Sequence, residues 1–252
     1  MTKKLFHFFI CFGSLGFACQ ASALILDWNL GGPATSSGGN INTMAFVSSG
    51  HTLTAKGYCS SQTDGSGVLS GAHLQISAGG LGVSSGGDNT VCGQDSNPAI
   101  DTEGRDNFVL FEFDTFMFAK DFQISWSNTD ADIQVWFGPP SGGAGLDLTG
   151  ACVSGCGTTL ATLGFSPLSR FNNVPTDTPQ AINATTQSRY VVVSGALTAL
   201  GGSIDGNSDY FRMGKIRAAP IPSTFTLLAL GLMGITLSSR AKRYMGSPYP
   251  RP

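Results

Sequence analysis

Between residues 24 and 219 apolar and polar positions alternate in short runs, broken by Gly, Ser, Asn and Asp. Phe122, Ile124 and Trp126 alternate with Gln123, Ser125 and Ser127; Ile133, Val135 and Phe137 alternate with Gln134 and Trp136. A period of two turns one side of each run to a core and the other to solvent, so both read as half-buried antiparallel strands joined by a hairpin loop at 127–132. The same pattern predicts strands at 24–28, 44–47, 53–58, 73–77, 108–113, 190–193 and 210–216, and surface loops in the Gly/Ser stretches 31–40, 78–88 and 139–145. Neither a sustained helical period nor an internal repeat interrupts this text. Short strands with frequent turns must each bury one face against a second sheet, which predicts an all-β fold: an antiparallel β-sandwich or jelly roll.

The two ends follow other rules. Lys3 and Lys4 precede an uncharged run at 5–18, and Ala21-Ser22-Ala23 offers the small residues that a signal peptidase accepts, with Ala21 and Ala23 flanking the expected cut before Leu24. Residues 1–23 thus read as a secretory signal peptide and 24–219 as the folded domain. At the other end Pro220-Ile221-Pro222-Ser223 opens onto thirteen apolar or small residues at 225–237, followed by a basic cluster of Arg240, Lys242 and Arg243. As a helix that stretch spans roughly 20 Å, short for a stable anchor and suited to a transient one in the inner membrane. The basic residues after it would hold the C-terminus in the cytoplasm while the domain is exported.

A Pro-x-Pro motif, a short apolar helix and a basic end together resemble the PEP-CTERM sorting signal of Gram-negative bacteria. The resemblance covers 220–243, leaves 244–252 as an extension, and departs in having Ile221 between the prolines where a glutamate is usual. It implies an exosortase as a processing partner beside signal peptidase, and a destination at the cell surface or in the exopolysaccharide matrix. Within the domain Gly79-Gly80-Leu81-Gly82-Val83, Pro98-Ala99-Ile100-Asp101, the run from Gly104 to Asp114, and Asp130-Ala131-Asp132-Ile133 resemble the motif order of exosortase-dependent surface proteins of the XDP1 type. That likeness implies location and architecture, not an activity.

Charge narrows the partners. Eight basic residues stand against sixteen acidic ones in 24–219, a balance of −8 that excludes a nucleic-acid partner, whose phosphates require Lys and Arg. Four cysteines follow the signal peptide, and an even number in an exported domain predicts two disulfides, with Cys59–Cys92 and Cys152–Cys156 the favoured pairing of three.

Candidate chemistry is sparse. Gly82-Val83-Ser84-Ser85-Gly86 fits the letters of a hydrolase nucleophile elbow, but no His follows Ser84, so catalysis by it is not expected. His51 and His73 lack a third ligand at metal spacing and read as surface or strand residues. Acids gather at Asp101, Glu103 and Asp106, at Asn128, Asp130 and Asp132, and at Asp205 to Asp209. Asp101, Asp106, Asp130 and Asp132 could hold calcium if the loops converge, whereas Asp and Asn also cap turns by bonding their own backbone, and the cap is the favoured reading. No other cofactor is expected. The chain therefore reads as a non-enzymatic secreted protein. The alternatives are a glycan-binding module stacking sugars on Trp136, Phe116 or Phe118, and a glycosidase, which would need two carboxylates about 5–9.5 Å apart in a cleft.

Overall fold

A computed structural model describes residues 24–32, 35–36, 42–62, 66–77, 79–84, 98–102, 105–128, 130–139, 142–182, 184–197 and 208–220. Ala21, Ala23, Cys92, Pro222, Ser223, Arg240, Lys242 and Arg243 lie outside them.

The described chain is all-β and forms an antiparallel β-sandwich around one long strand. This strand, β8 (Asn107–Ser127), joins what the sequence pattern reads as two strands. Its first half pairs with β4 (His51–Ser60) on one side and β12 (Ser188–Gly195) on the other; its second half pairs with β13 (Tyr210–Pro220) and β11 (Gln180–Ala181). One strand thus serves both layers. The change is made at Lys120, which is left over between the pairs Ala218↔Ala119 and Arg217↔Asp121. An extra residue reverses the side-chain alternation, so Met117 and Ala119 face the core before it and Phe122 and Ile124 after it.

Around this spine, β1 (Leu26–Asn29) borders β13, and β2 (Thr35–Ser36), β3 (Thr43–Ser48), β4, β5 (Leu69–Ser77) and β6 (Gly80–Ser84) follow in order, β6 returning to β13 at Leu81↔Met213. The short β7 (Ile100–Asp101) also pairs with β13. Beyond β12 lie β9 (Ile133–Phe137) and β10 (Ser166–Phe171).

Three expectations need correction. Residues 127–132 are not a hairpin loop, because β9 pairs with β12 and β10 and not with β8. The Gly/Ser stretch at 78–88 contains β6, whose glycines permit close approach: a Cβ on Gly82 would sit 2.4 Å from the Pro98 carbonyl oxygen. And β9 is buried on both faces. Leu26, Trp28, Phe113, Phe122 and Ile216 pack between the layers, while Tyr58, Phe108, Trp136, Tyr190 and Val192 form a second cluster outside them, beneath Leu148, Leu160 and Phe165 of the excursion that follows β9.

Candidate functional site

Two polar constellations stand out among the described residues. The first is buried. The sequence places Asp130 and Asp132 just before β9, and β13 starts against the end of β8, where the Tyr210 N–H donates to the Asp130 carbonyl at 3.3 Å, which brings Asp209 beside them. One carboxylate oxygen from each of Asp130, Asp132 and Asp209 lies within 4.8 Å of the others. The expected companions Asp101 and Asp106 do not join this group. Asp101 belongs to β7, paired with β13, and Asp106 stands where β8 begins, its carbonyl accepting Ser60 N–H at 2.8 Å.

The oxygens of this cluster already receive backbone donors. Asp209 accepts from Asp132 N–H at 2.7 Å and Ala196 N–H at 3.2 Å, and Asp132 accepts from Asn173 N–H at 2.7 Å. Asp130 accepts from Ala131 N–H at 2.8 Å. The cluster therefore ties the starts of β9 and β13 to the end of β12, as turn-capping acids do. Crowding has a price in acidity. Burial, and then the neighbouring Asp132 and Asp130 carboxylates, push Asp209 from 3.8 to about 6.

The second constellation lines an open groove of about 340 Å³ bounded by Asn42, Lys56, Tyr58, Gly71, Asp147 and Thr149. Lys56 and Tyr58 point outward from β4, opposite the alternating core residues Leu53 and Ala55. Lys56 donates to Glu112 Oε2 at 3.1 Å and to the Leu146 carbonyl at 2.7 Å. Tyr58 donates to Asp147 Oδ1 at 3.0 Å and accepts from Leu148 N–H at 3.2 Å. Gly145 N–H meets Glu112 Oε1 at 2.6 Å, and Tyr190 donates to the Gly143 carbonyl while accepting from Leu146 N–H at 3.2 Å. Four side chains of three strands thus strap one segment, 143–148, onto the sheet.

Here the acid is relieved instead of crowded. The Thr149 N–H holds Asp147 below the usual carboxylate range, and burial raises the Tyr58 and Tyr190 phenols, keeping them as donors. A glycosidase acid requires the opposite perturbation, a carboxyl raised toward neutrality. Each oxygen of Glu112 is engaged by a backbone or ammonium donor. The groove offers binding chemistry: hydroxyl, carboxylate, amide and ammonium groups around a floor of Gly57 and Gly71. Glycine is required at Gly57, where a Cβ would lie 2.7 Å from the Ala72 carbonyl oxygen.

Other anticipated residues fall as follows. Cys152 and Cys156 are disulfide-bonded, as spacing suggested; Cys59 is disulfide-bonded too, while Cys92 is outside the described residues. Trp136 cannot stack a sugar, because Phe108 and the excursion after β9 cover it to 2% exposure. Phe116 and Phe118 are half-buried on the outer surface, with the Arg189 guanidinium 5.5 Å from one ring and the Lys120 ammonium 5.8 Å from the other. Ser84 is buried in β6, away from any elbow turn. His51 meets Asp114 at 3.2 Å, and His73 sits in β5 opposite Ser84. Sequence separation hid the groove: Lys56 and Glu112 are 56 residues apart, Tyr58 and Asp147 89.

No family model, curated protein or solved structure matches this chain. Among the described residues no helix is long and apolar enough to cross a membrane.

Proposed function

We propose that this chain is a non-enzymatic, secreted surface or matrix protein, exported by residues 1–23 and sorted through its C-terminal tail by an exosortase-type membrane peptidase. The observation that carries the reading is where the last described strand ends. The closing strand β13 runs to Pro220, opposite Met117, and Pro220 is also the first residue of the Pro-Ile-Pro-Ser motif. Among the described residues β13 is the last strand and it reaches the first residue of the motif, so a cut within the motif leaves every described strand in the body. The backbone hydrogen bonds that the acids of both sites accept, with Asp147 lowered, support a structural body over a catalytic one.

The groove favours one second reading, a glycan-binding module, because Lys56, Tyr58, Asp147 and Thr149 present the hydroxyl-matching groups that sugars need. In this reading the Phe116 and Phe118 rings are not part of the site, and exopolysaccharide is the partner.

The test is fractionation of cells producing the full chain or a variant with Arg240→Glu, Lys242→Glu and Arg243→Glu. The full chain is expected in the surface or matrix fraction, and the variant is expected to accumulate with the membrane. Equal surface yield of both would refute the sorting role of the tail.

A further inference from the structure

At one edge of the sandwich β1 and β12 begin and β13 ends in one row, beside the middle of β8. Leu26 lies opposite Ala218, Phe118 opposite Ala219, Met117 opposite Pro220, and Ser188 opposite Met117. Leu24 and Ile25, just before β1, therefore emerge beside Ala219 and Pro220. They are 57% and 54% exposed, two of the four large apolar side chains that stand so far out. Directly opposed residues in a strand pair share a face of the sheet. Phe118 thus lies on the face of Ala219, and with Phe116 it continues the apolar strip begun by Ile25.

Cations rim this strip. Arg189 and Lys120 lie over the Phe116 and Phe118 rings, and among the described residues neither has a carboxylate partner. Lys215 and Arg217 stand on β13 nearby, paired with Asp27 at 3.7 Å and Asp121 at 2.6 Å. Four of the eight basic residues of an otherwise acidic body therefore stand around one apolar strip, against Asp27, Asp121 and, at the Phe116 end, Asp114, which meets His51.

The rest of the chain says what faces the strip. The apolar run 5–18 precedes Leu24 and the apolar run 225–237 follows Pro220, so both leave from this edge. Five residues from Pro220 to Phe225 reach at most about 17 Å even when extended. If 225–237 is in the bilayer, as the sorting reading above holds and on which this inference rests, the strip is held within that distance of the lipid surface.

We propose that this edge is a lipid-contact surface. Ile25, Phe116 and Phe118 enter the headgroup region of an anionic bilayer, and Lys120 and Arg189 swing from the aromatic rings to lipid phosphates. The contact orients the body and keeps Pro220-Ile221-Pro222-Ser223 at the membrane surface where a membrane peptidase cuts. Two rings and two cations are too few to hold the protein once the tail is gone, so processing also releases it.

The test uses the full chain, reconstituted into vesicles of phosphatidylethanolamine and phosphatidylglycerol, with photoreactive p-benzoylphenylalanine placed at Phe118 or, as a control, at Val68, which precedes β5 at the far end of β8 from Phe118. Flotation reports membrane insertion; mass analysis of the irradiated protein reports what was touched. Phospholipid adducts at position 118 and few at 68 are expected, with yield falling by roughly fivefold per charge removed in Lys120→Gln and Arg189→Gln. Adducts at position 118 to a protein, including this chain's own tail, would overturn the proposal in favour of a protein dock, as would equal lipid adducts at both positions. A chain that fails to float overturns the membrane reading of the tail and this proposal with it.

Discussion

The Asp130–Asp132–Asp209 cluster and the Lys56–Glu112–Asp147 groove each gather acids from separate segments of the chain, yet Asp209 and Asp147 shift in opposite directions. In the buried cluster Asp209 accepts from the Asp132 and Ala196 N–H groups and from the Thr102 hydroxyl, yet burial and the neighbouring acids raise it to about 6. In the groove the Lys56 ammonium stands between Glu112 and the strapped segment, and Asp147 falls under the Thr149 N–H. The difference follows burial first, the largest cause at the buried Asp209, and then whether donors or other acids stand around the carboxylate, the Thr149 N–H being the largest cause at the exposed Asp147. One cluster stores repulsion in the fold, the other fastens a segment to it.

The largest expected effect comes from unbalancing the groove. Lys56→Met leaves Glu112 and the Leu146 carbonyl facing each other without the ammonium, in a site where both side chains of the pair are mostly buried. The expected loss is about 3 kcal/mol, or a fall in midpoint of roughly 6–12 °C for a domain of this size. The double variant Lys56→Met, Glu112→Leu is expected to recover most of it, since two apolar groups leave no buried charge alone. Thermal melts of the three proteins check this, and a double variant no better than the single would mean that the pair acts through the strap and not through charge.

The next effect is a pH dependence from the other cluster. A carboxyl raised in the folded state favours folding while it is protonated, so its contribution is fully present below the unfolded value of 3.8 and is lost as pH rises to about 6. The loss amounts to about 2 kcal/mol between those limits. Denaturant titrations at steps across this window should show it, and Asp209→Asn should flatten the slope within the window. A slope unchanged by Asp209→Asn would place the titration elsewhere.

The comparison also explains what the sequence could disclose. The alternation at 133–137 located β9 to the residue, because a period of two is written locally. It could not show that 114–121 continues as one strand, since the extra residue Lys120 breaks the alternation where the strand changes layers. Nor could it find β6, where close backbone approach and not side-chain pattern fixes the strand. Asp130 and Asp132 were visible as neighbours, whereas Asp209 joins them through the β8–β13 register and the Tyr210–Asp130 backbone bond, and the groove depends on pairings across most of the chain.

A smaller effect separates cap from metal site. Backbone donors already occupy oxygens of Asp130, Asp132 and Asp209, so the capping account expects the same melting midpoint in chelator and in millimolar calcium. A calcium ion bound only by the folded state at about 100 times its dissociation constant would add roughly 2.7 kcal/mol and raise the midpoint by several degrees. Such a rise, abolished by Asp130→Asn and Asp132→Asn, would make the cluster a cation staple.

Above these local tests stands the claim that the body is a finished sandwich delivered by two removable ends. The intact mass of the protein recovered from the surface or matrix fraction tests it directly. The account predicts a chain that begins at Leu24 and ends near Pro222, carrying β1 through β13 and none of the tail. An exported protein whose mass requires the sequence through Pro252 would contradict it.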